Sequence, residues 1–184
     1  MRIRRSTIIA TTAILATCGL AAVALALPAV TTSGTTQLGM VNKSDTASQA
    51  TSSVAWVSLL EAAATSLGVP VVVPDGKRVL VNARFTAETT CYGPAGNGCR
   101  ARIIVVAPTG AIIELNPASG ADYYMDTAFP APNGAIDHEG HAMERSIILG
   151  QGTYTLRVQR SVTNAAVLFT LDDWHLAVET TVVP

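Results

Sequence analysis

The chain has few charged and few aromatic side chains. Charged residues make up 14% of its 184 residues and aromatic residues 5%, while 12 basic residues nearly balance 13 acidic ones. The basic excess that is typical of nucleic-acid-binding proteins is therefore absent. Because 49% of the residues are hydrophobic, the low charge does not indicate a disordered chain, and the length indicates one folded domain.

The sequence also lacks the motifs of common nucleophilic and phosphate-binding enzymes. It contains no G-x-S-x-G nucleophile elbow, and Ser146, which follows Arg145, has no such context. No glycine-rich phosphate-binding loop occurs either. We therefore expect a non-catalytic protein without a cofactor, unless one of the polar clusters described below holds calcium or zinc.

The N-terminus has the three parts of a secretory signal peptide. A basic start is followed by an uncharged, largely apolar run over residues 6–30, which contains the small-residue site Ala24-Leu25-Ala26. Residues 1–26 are therefore predicted to be a signal peptide, and the protein to be secreted, extracellular or at the cell surface. Removing Arg2, Arg4 and Arg5 from the 12 basic residues leaves nine against 13 acidic ones, a net charge of about −4.

Two alternatives for this N-terminal segment remain open. Its apolar run is long enough to cross a bilayer, which takes about 20 residues, so it could be a retained anchor. Residues 15–18 form a lipoprotein-like box ending at Cys18, although Thr17 is bulkier than the residue expected before a lipidated cysteine. Contact with a membrane is expected only through this segment.

The rest of the chain divides into a linker and a domain. Residues 27–53 are rich in Ser, Thr, Gly and Gln and are predicted to be a polar flexible linker, with a first edge strand as the alternative. Residues 54–184 are predicted to form the domain, which is long enough for one hydrophobic core.

Short β-rich runs between Gly, Pro and Asn turns predict an all-β fold, an antiparallel β-sandwich of jelly-roll type. Residues 79–87 alternate between apolar and polar side chains, as a half-buried strand does. Residues 54–67 are ambiguous, since they could form a short helix or a strand followed by a loop. The predicted strands cover residues 71–73, 79–87, 100–107, 111–115, 123–125, 141–149, 153–162 and 166–178.

The last predicted strand changes its apolar parity halfway. Phe169 and Leu171 share one face, whereas Trp174 and Leu176 share the other. Because one inserted residue exchanges the two faces of a strand, a β-bulge is predicted at Asp172-Asp173.

Two cysteines remain when Cys18 leaves with the signal peptide. Cys91 and Cys99 flank a span with three glycines and one proline, which allows the backbone to turn back. An even pair in an exported domain predicts one short-loop disulfide, with two free thiols as the alternative. Their spacing excludes a CxxC redox or zinc arrangement.

Asp137, His138, Glu139 and His141 form the most conspicuous polar cluster. The zinc-protease helix needs two histidines at i and i+4, but here the spacing is i and i+3 and Gly140 disfavours a helix. On a strand Asp137, Glu139 and His141 would share a face, from which His138 would be absent. The cluster is therefore either a weak candidate metal site, and so a metal-dependent hydrolase, or a polar loop that enters a strand.

Two further clusters are candidate sites. Asp172, Asp173 and His175 could bind calcium or act in acid–base chemistry, but polar side chains at a bulge also bond freed backbone amides. Tyr123 and Tyr124 could form a platform for glycans, although neighbouring residues of a strand point in opposite directions. A carbohydrate-binding module is therefore a second alternative.

The chain resembles a family of exported actinobacterial proteins of unknown function over about residues 70–180. The likeness implies an exported all-β domain and supplies no catalytic residues. Residues 152–159 are also similar to jelly-roll heads of the tail-fibre and complement/tumour-necrosis-factor type, which implies self-association as a trimer. We accordingly expect a secreted, non-catalytic binding or structural module. The motifs are residues 83–88, Cys91, Cys99, residues 102–103, 117–120, 141–146, 152–159 and 171–174.

Overall fold

The computed structural model describes residues 36–61, 65–120, 123–130 and 138–184, which consist of β-strands and their connections. Within these ranges no helix is long and apolar enough to cross a membrane. The predicted signal peptide lies outside the described residues. The strands are β1 (Thr36–Asp45), β2 (Gln49–Thr51), β3 (Val57–Ser58), β4 (Leu60–Glu61), β5 (Thr65–Ser66), β6 (Val69–Val73), β7 (Arg78–Tyr92), β8 (Gly98–Val106), β9 (Ile112–Glu114), β10 (Asp126–Thr127), β11 (Glu139–Leu149), β12 (Gly152–Val162) and β13 (Leu168–Val183).

Two antiparallel sheets pack face to face. In the first sheet β1 and β2 pair with one side of β13, β7 pairs with its other side, and β11 follows β7. In the second sheet β3 and β6 pair with β12, β8 follows, and β9 and β10 share the far side of β8. A small hairpin of β4 and β5 stands apart from both.

The order of the strands is that of a jelly roll. The β4–β5 hairpin is set aside, and two strands that pair with the same side of one neighbour (β1 with β2, β3 with β6, β9 with β10) are counted as one position. The remaining strands then occupy eight positions, as in a jelly roll. In chain order the first sheet then contains positions one, eight, three and six, and the second contains two, seven, four and five. The predicted jelly-roll sandwich is confirmed.

The core lies between the two sheets and follows the predicted alternation. On β7, Val79, Val81, Ala83 and Phe85 are completely buried, while Arg84 between them is exposed. This pattern arises because successive side chains of a strand point to opposite faces. β13 in the same sheet adds Phe169, Leu171 and Trp174, and β12 in the opposite sheet supplies Leu156 and Val158.

The predicted bulge in β13 is confirmed. Asp172 pairs with Glu88 and His175 with Thr86, so two residues of β13 lie opposite one residue of β7. Asp173 has a φ of 43°, in the left-handed region. The extra residue returns Trp174 to the buried face, which explains the parity change in the sequence.

Two predictions about secondary structure were wrong, and one choice that the sequence left open is decided. Residues 36–53 are not a flexible linker, since they contain β1 and β2; most side chains of β1 are exposed, so backbone pairing with β13 tolerates their polar composition. Residues 123–125 are not a strand, and the pairing segment there is β10. Of the helix and the strand that the sequence allowed for residues 54–67, the structure has short strands at residues 57–58, 60–61 and 65–66.

The disulfide between Cys91 and Cys99 is confirmed, with a Cα–Cα distance of 5.9 Å. It joins the end of β7 in the first sheet to the start of β8 in the second. Both cysteines are completely buried. The segment 123–130 lies against this crosslinked turn, because Met125 N–H donates to the Cys99 carbonyl and Phe129 N–H to the Cys91 carbonyl.

Candidate functional site

Asp126, Glu139 and His141 converge at one side of the sandwich. Asp126 lies on β10 at the edge of the second sheet, while Glu139 and His141 lie on β11 at the edge of the first. One donor atom from each residue lies within 4.8 Å of the other two. We call these three residues the edge triad. A cavity of about 350 Å³, which the triad helps to line, lies beside it.

The disulfide turn positions Asp126. Asp126 pairs with Cys99 in the register of β10 and β8, and the N–H of Met125 donates to the Cys99 carbonyl at 2.9 Å. The hydroxyl of Thr89, on β7, donates to Asp126 Oδ2 at 2.7 Å. Asp126 is only 8% exposed. Because Thr89 belongs to the first sheet and Cys99 to the second, contacts with both sheets hold Asp126 in its orientation.

The strand period positions the other two members of the triad. Glu139 and His141 are two residues apart on β11 and therefore lie on the same face, as the sequence predicted. His141 Nε2 lies 3.3 Å from Glu139 Oε2. This nitrogen is buried and has no hydrogen-bond partner among the described residues, because the contact with Glu139 does not meet hydrogen-bond geometry.

The edge triad combines two carboxylates with one imidazole, a donor set suited to a divalent metal. It differs from the predicted cluster in one important member. His138 is exposed and does not belong to the triad, and Asp137 lies outside the described residues. Sequence reasoning missed Asp126, because the residue is far from β11 along the chain and no local spacing connects them.

Asp172, Asp173 and His175 do not join this group. Asp172 and His175 pair with Glu88 and Thr86 on β7, and their side chains point away from the core face that holds Leu171 and Leu176. The Asp173 N–H donates to Asp172 Oδ1 at 2.9 Å. The carboxylate thus bonds a backbone amide at the bulge, which is the structural alternative that the sequence suggested.

Tyr123 and Tyr124 do not form a shared flat surface. The Arg145 guanidinium carbon lies 4.7 Å from the centre of the Tyr123 ring, and Tyr123 packs against the core. Tyr124 is partly exposed, but its ring lies directly over Gly98. One face of each ring is therefore in contact with the protein.

A second polar constellation, which the sequence did not reveal, surrounds Trp56. The guanidinium carbons of Arg100 and Arg102 lie 5.1 and 4.3 Å from the centre of its ring. Arg102 also donates two hydrogen bonds to Gln159 Oε1 and lies 3.6 Å from Glu114 Oε2. Burial lowers the pKa of Arg102 from its usual value, although the charge of Glu114 opposes this shift. These contacts already engage both guanidinium groups.

Arg160 connects the two sheets. It extends from β12 into the space between the sheets and donates to the backbone carbonyls of Gln49 and Ala50 on β2. Burial lowers the pKa of Arg160 to about 10, which keeps the side chain charged at neutral pH. Its carbonyl partners and the absence of a neighbouring carboxylate in the described contacts indicate a structural role.

An apolar groove runs between β1 and β6, where the two sheets come together at their other side. Leu38, Met40, Val41 and Val72 expose 44%, 56%, 37% and 62% of their surface. The groove has a volume of about 270 Å³. We call it the β1–β6 groove. Large exposed apolar side chains that cluster in this way are typical of interaction surfaces.

No protein-family model matches the chain, and no curated protein is similar to it.

Proposed function

We propose that the protein is an exported, non-catalytic jelly-roll module that assembles with further copies of itself through the β1–β6 groove. The exposure of Leu38, Met40, Val41 and Val72 around one groove carries this proposal. An isolated exposed apolar side chain is ordinary, but four that line one depression would gain from being covered.

The chemistry of the groove favours a second copy as the occupant. Its lining side chains are apolar apart from Thr180, and none is charged. An uncharged apolar surface is complementary to itself, which a symmetric interface between identical chains requires. β1 and β6 also lie at the ends of their described sheets, so their outer backbone groups are accessible for pairing.

The N-terminal sequence and the disulfide both support the exported location. The basic start and apolar run of residues 1–30 have the pattern of a signal peptide. The Cys91–Cys99 disulfide is the kind of bond that persists in oxidising compartments.

Light scattering coupled to size-exclusion chromatography tests the assembly. The purified full chain should elute as an oligomer, and the double variant Met40→Glu/Val72→Glu should elute as a monomer. The matched control is Ile112→Glu/Ile148→Glu, which introduces the same charges at side chains that are equally exposed but lie on β9 and β11. The control should remain oligomeric.

Three results would overturn the proposal. A monomeric full chain at high micromolar concentration would exclude self-assembly. Equal dissociation of both double variants would show that charge, rather than the groove, controls association. Dissociation only after residues 1–35 are removed, with the groove variants unchanged, would assign association to the N-terminal segment.

The other two functions predicted from the sequence have less support. Tyr123 packs against the core and lies under the Arg145 guanidinium, so the two tyrosines form no shared glycan platform. A metal-dependent hydrolase that uses His138 is not supported, since His138 lies outside the edge triad.

A further inference from the structure

We propose that the edge triad of Asp126, Glu139 and His141 is a binding site for a divalent transition metal, and that Zn²⁺ is the ion it fits best. The inference does not depend on assembly through the β1–β6 groove, which lies at the opposite side of the sandwich. It rests on the separations of the donor atoms, on an unpartnered imidazole nitrogen and on a buried carboxylate.

The donor atoms are spaced almost as zinc ligands. Two ligands of a tetrahedral zinc ion, each bound at about 2.0–2.1 Å, lie roughly 3.3 Å from one another. His141 Nε2 and Glu139 Oε2 are 3.3 Å apart. One carboxylate oxygen of Asp126 lies within 4.8 Å of a donor atom of each of the other two residues, so closing the site takes shifts of up to about 1.5 Å.

The imidazole nitrogen has no hydrogen-bond partner in the described structure. His141 Nε2 is enclosed, and it makes no hydrogen bond with any described residue. A buried polar atom without a partner is costly, and most such atoms in proteins are bonded to protein, water or an ion. A metal bound at Nε2 would satisfy this nitrogen through its lone pair.

The charge of the site also favours a dication. Asp126 is 8% exposed, and no described cationic side chain forms an ion pair with it. Burial of an unpaired carboxylate is unfavourable. One dication would neutralise Asp126 and Glu139 together. The imidazole ligand selects zinc and similar transition metals over calcium and magnesium, which prefer sites made only of oxygen ligands.

Neighbouring residues hold Asp126 in place. Thr89 donates to Asp126 Oδ2 and thereby orients the carboxylate, as partners of metal ligands commonly do. The crosslinked turn fixes the backbone of β10 through the Cys99 carbonyl. The adjoining cavity leaves space for a water molecule or an external ligand as the fourth donor.

Isothermal titration of the EDTA-treated full chain with ZnCl₂ tests the site. We expect saturable binding of one Zn²⁺ per chain. His141→Gln and Glu139→Gln should each weaken binding at least tenfold, whereas His138→Gln and His175→Gln should bind as the wild type does. The last two are matched controls, because they remove the remaining histidines, which lie outside the edge triad.

Circular dichroism and urea unfolding without metal separate ligand loss from misfolding. Glu139 is exposed at the start of an edge strand, so Glu139→Gln should leave the metal-free stability unchanged. The absence of saturable Zn²⁺ binding would overturn the proposal. So would equal losses in the control variants, or binding of Ca²⁺ where Zn²⁺ does not bind.

Discussion

Opening the Cys91–Cys99 disulfide should destabilise the domain by about 2.5 kcal/mol. The two cysteines are separated by 8 positions in the sequence. In the chain-entropy account, closing a loop of this length removes roughly 8 cal/mol/K from the denatured chain, which corresponds to about 2.5 kcal/mol at 25 °C. This is a large fraction of the roughly 5–15 kcal/mol that stabilises a typical domain.

The assay is urea unfolding followed by tryptophan fluorescence, with and without dithiothreitol. Reduction retains both sulfur atoms, so it measures the crosslink itself. The variant Cys91→Ala/Cys99→Ala should lose a further 1–2 kcal/mol or so, because both sulfur atoms are completely buried and their removal leaves space in the core. Dithiothreitol should have no effect on this variant.

The result that would refute this reasoning is a reduced wild type less than about 1 kcal/mol below the oxidised one. Such an outcome would mean that the denatured chain keeps the turn closed without the bond. A loss well above about 5 kcal/mol would also contradict the entropic account, and would show that the folded crosslink supports more than the turn.

Four further substitutions have defined outcomes in the same unfolding assay. Phe85→Ala empties a completely buried core position and should cost about 3–5 kcal/mol. Gly98→Ala places a Cβ 2.6 Å from Tyr124 Cδ1 and should cost about 1–3 kcal/mol, whereas Gly140→Ala, which meets nothing within 4 Å, should change stability by less than about 0.5 kcal/mol. Lys43 on β1 forms an ion pair with Glu61 and donates a hydrogen bond to it, which chiefly lowers the pKa of Glu61. The stability that this pair contributes is complete above the unfolded pKa of about 4.3 and is lost as pH falls through the folded value. Glu61→Gln should therefore lose less than about 1 kcal/mol at pH 7 and show no difference from wild type at pH 2, and an equal loss at both pH values would contradict the ion pair.

The main strands and the bulge could be predicted because they are local patterns. The alternation over residues 79–87 corresponds to the buried face of β7, and the parity change between Leu171 and Trp174 marks the bulge in β13. Each pattern depends on residues only a few positions apart. The disulfide could also be predicted, since only one pair of cysteines remains after the predicted signal peptide.

β1 could not be predicted from local sequence patterns. Its sequence mixes polar and small residues with Leu38, Met40 and Val41, and most of its side chains are exposed, so no regular alternation marks it as a strand. What makes it a strand is the backbone ladder to β13, whose residues follow more than a hundred positions later. An edge strand that buries little surface carries almost no hydrophobic pattern of its own.

The edge triad shows the same division within a site. Period two on β11 determines from the sequence that Glu139 and His141 share a face. The addition of Asp126, and the exclusion of His138, are decided only when β10 and β11 meet at the side of the sandwich. Backbone period is a property of neighbouring residues, whereas the meeting of two sheet edges depends on the packing of the entire jelly roll.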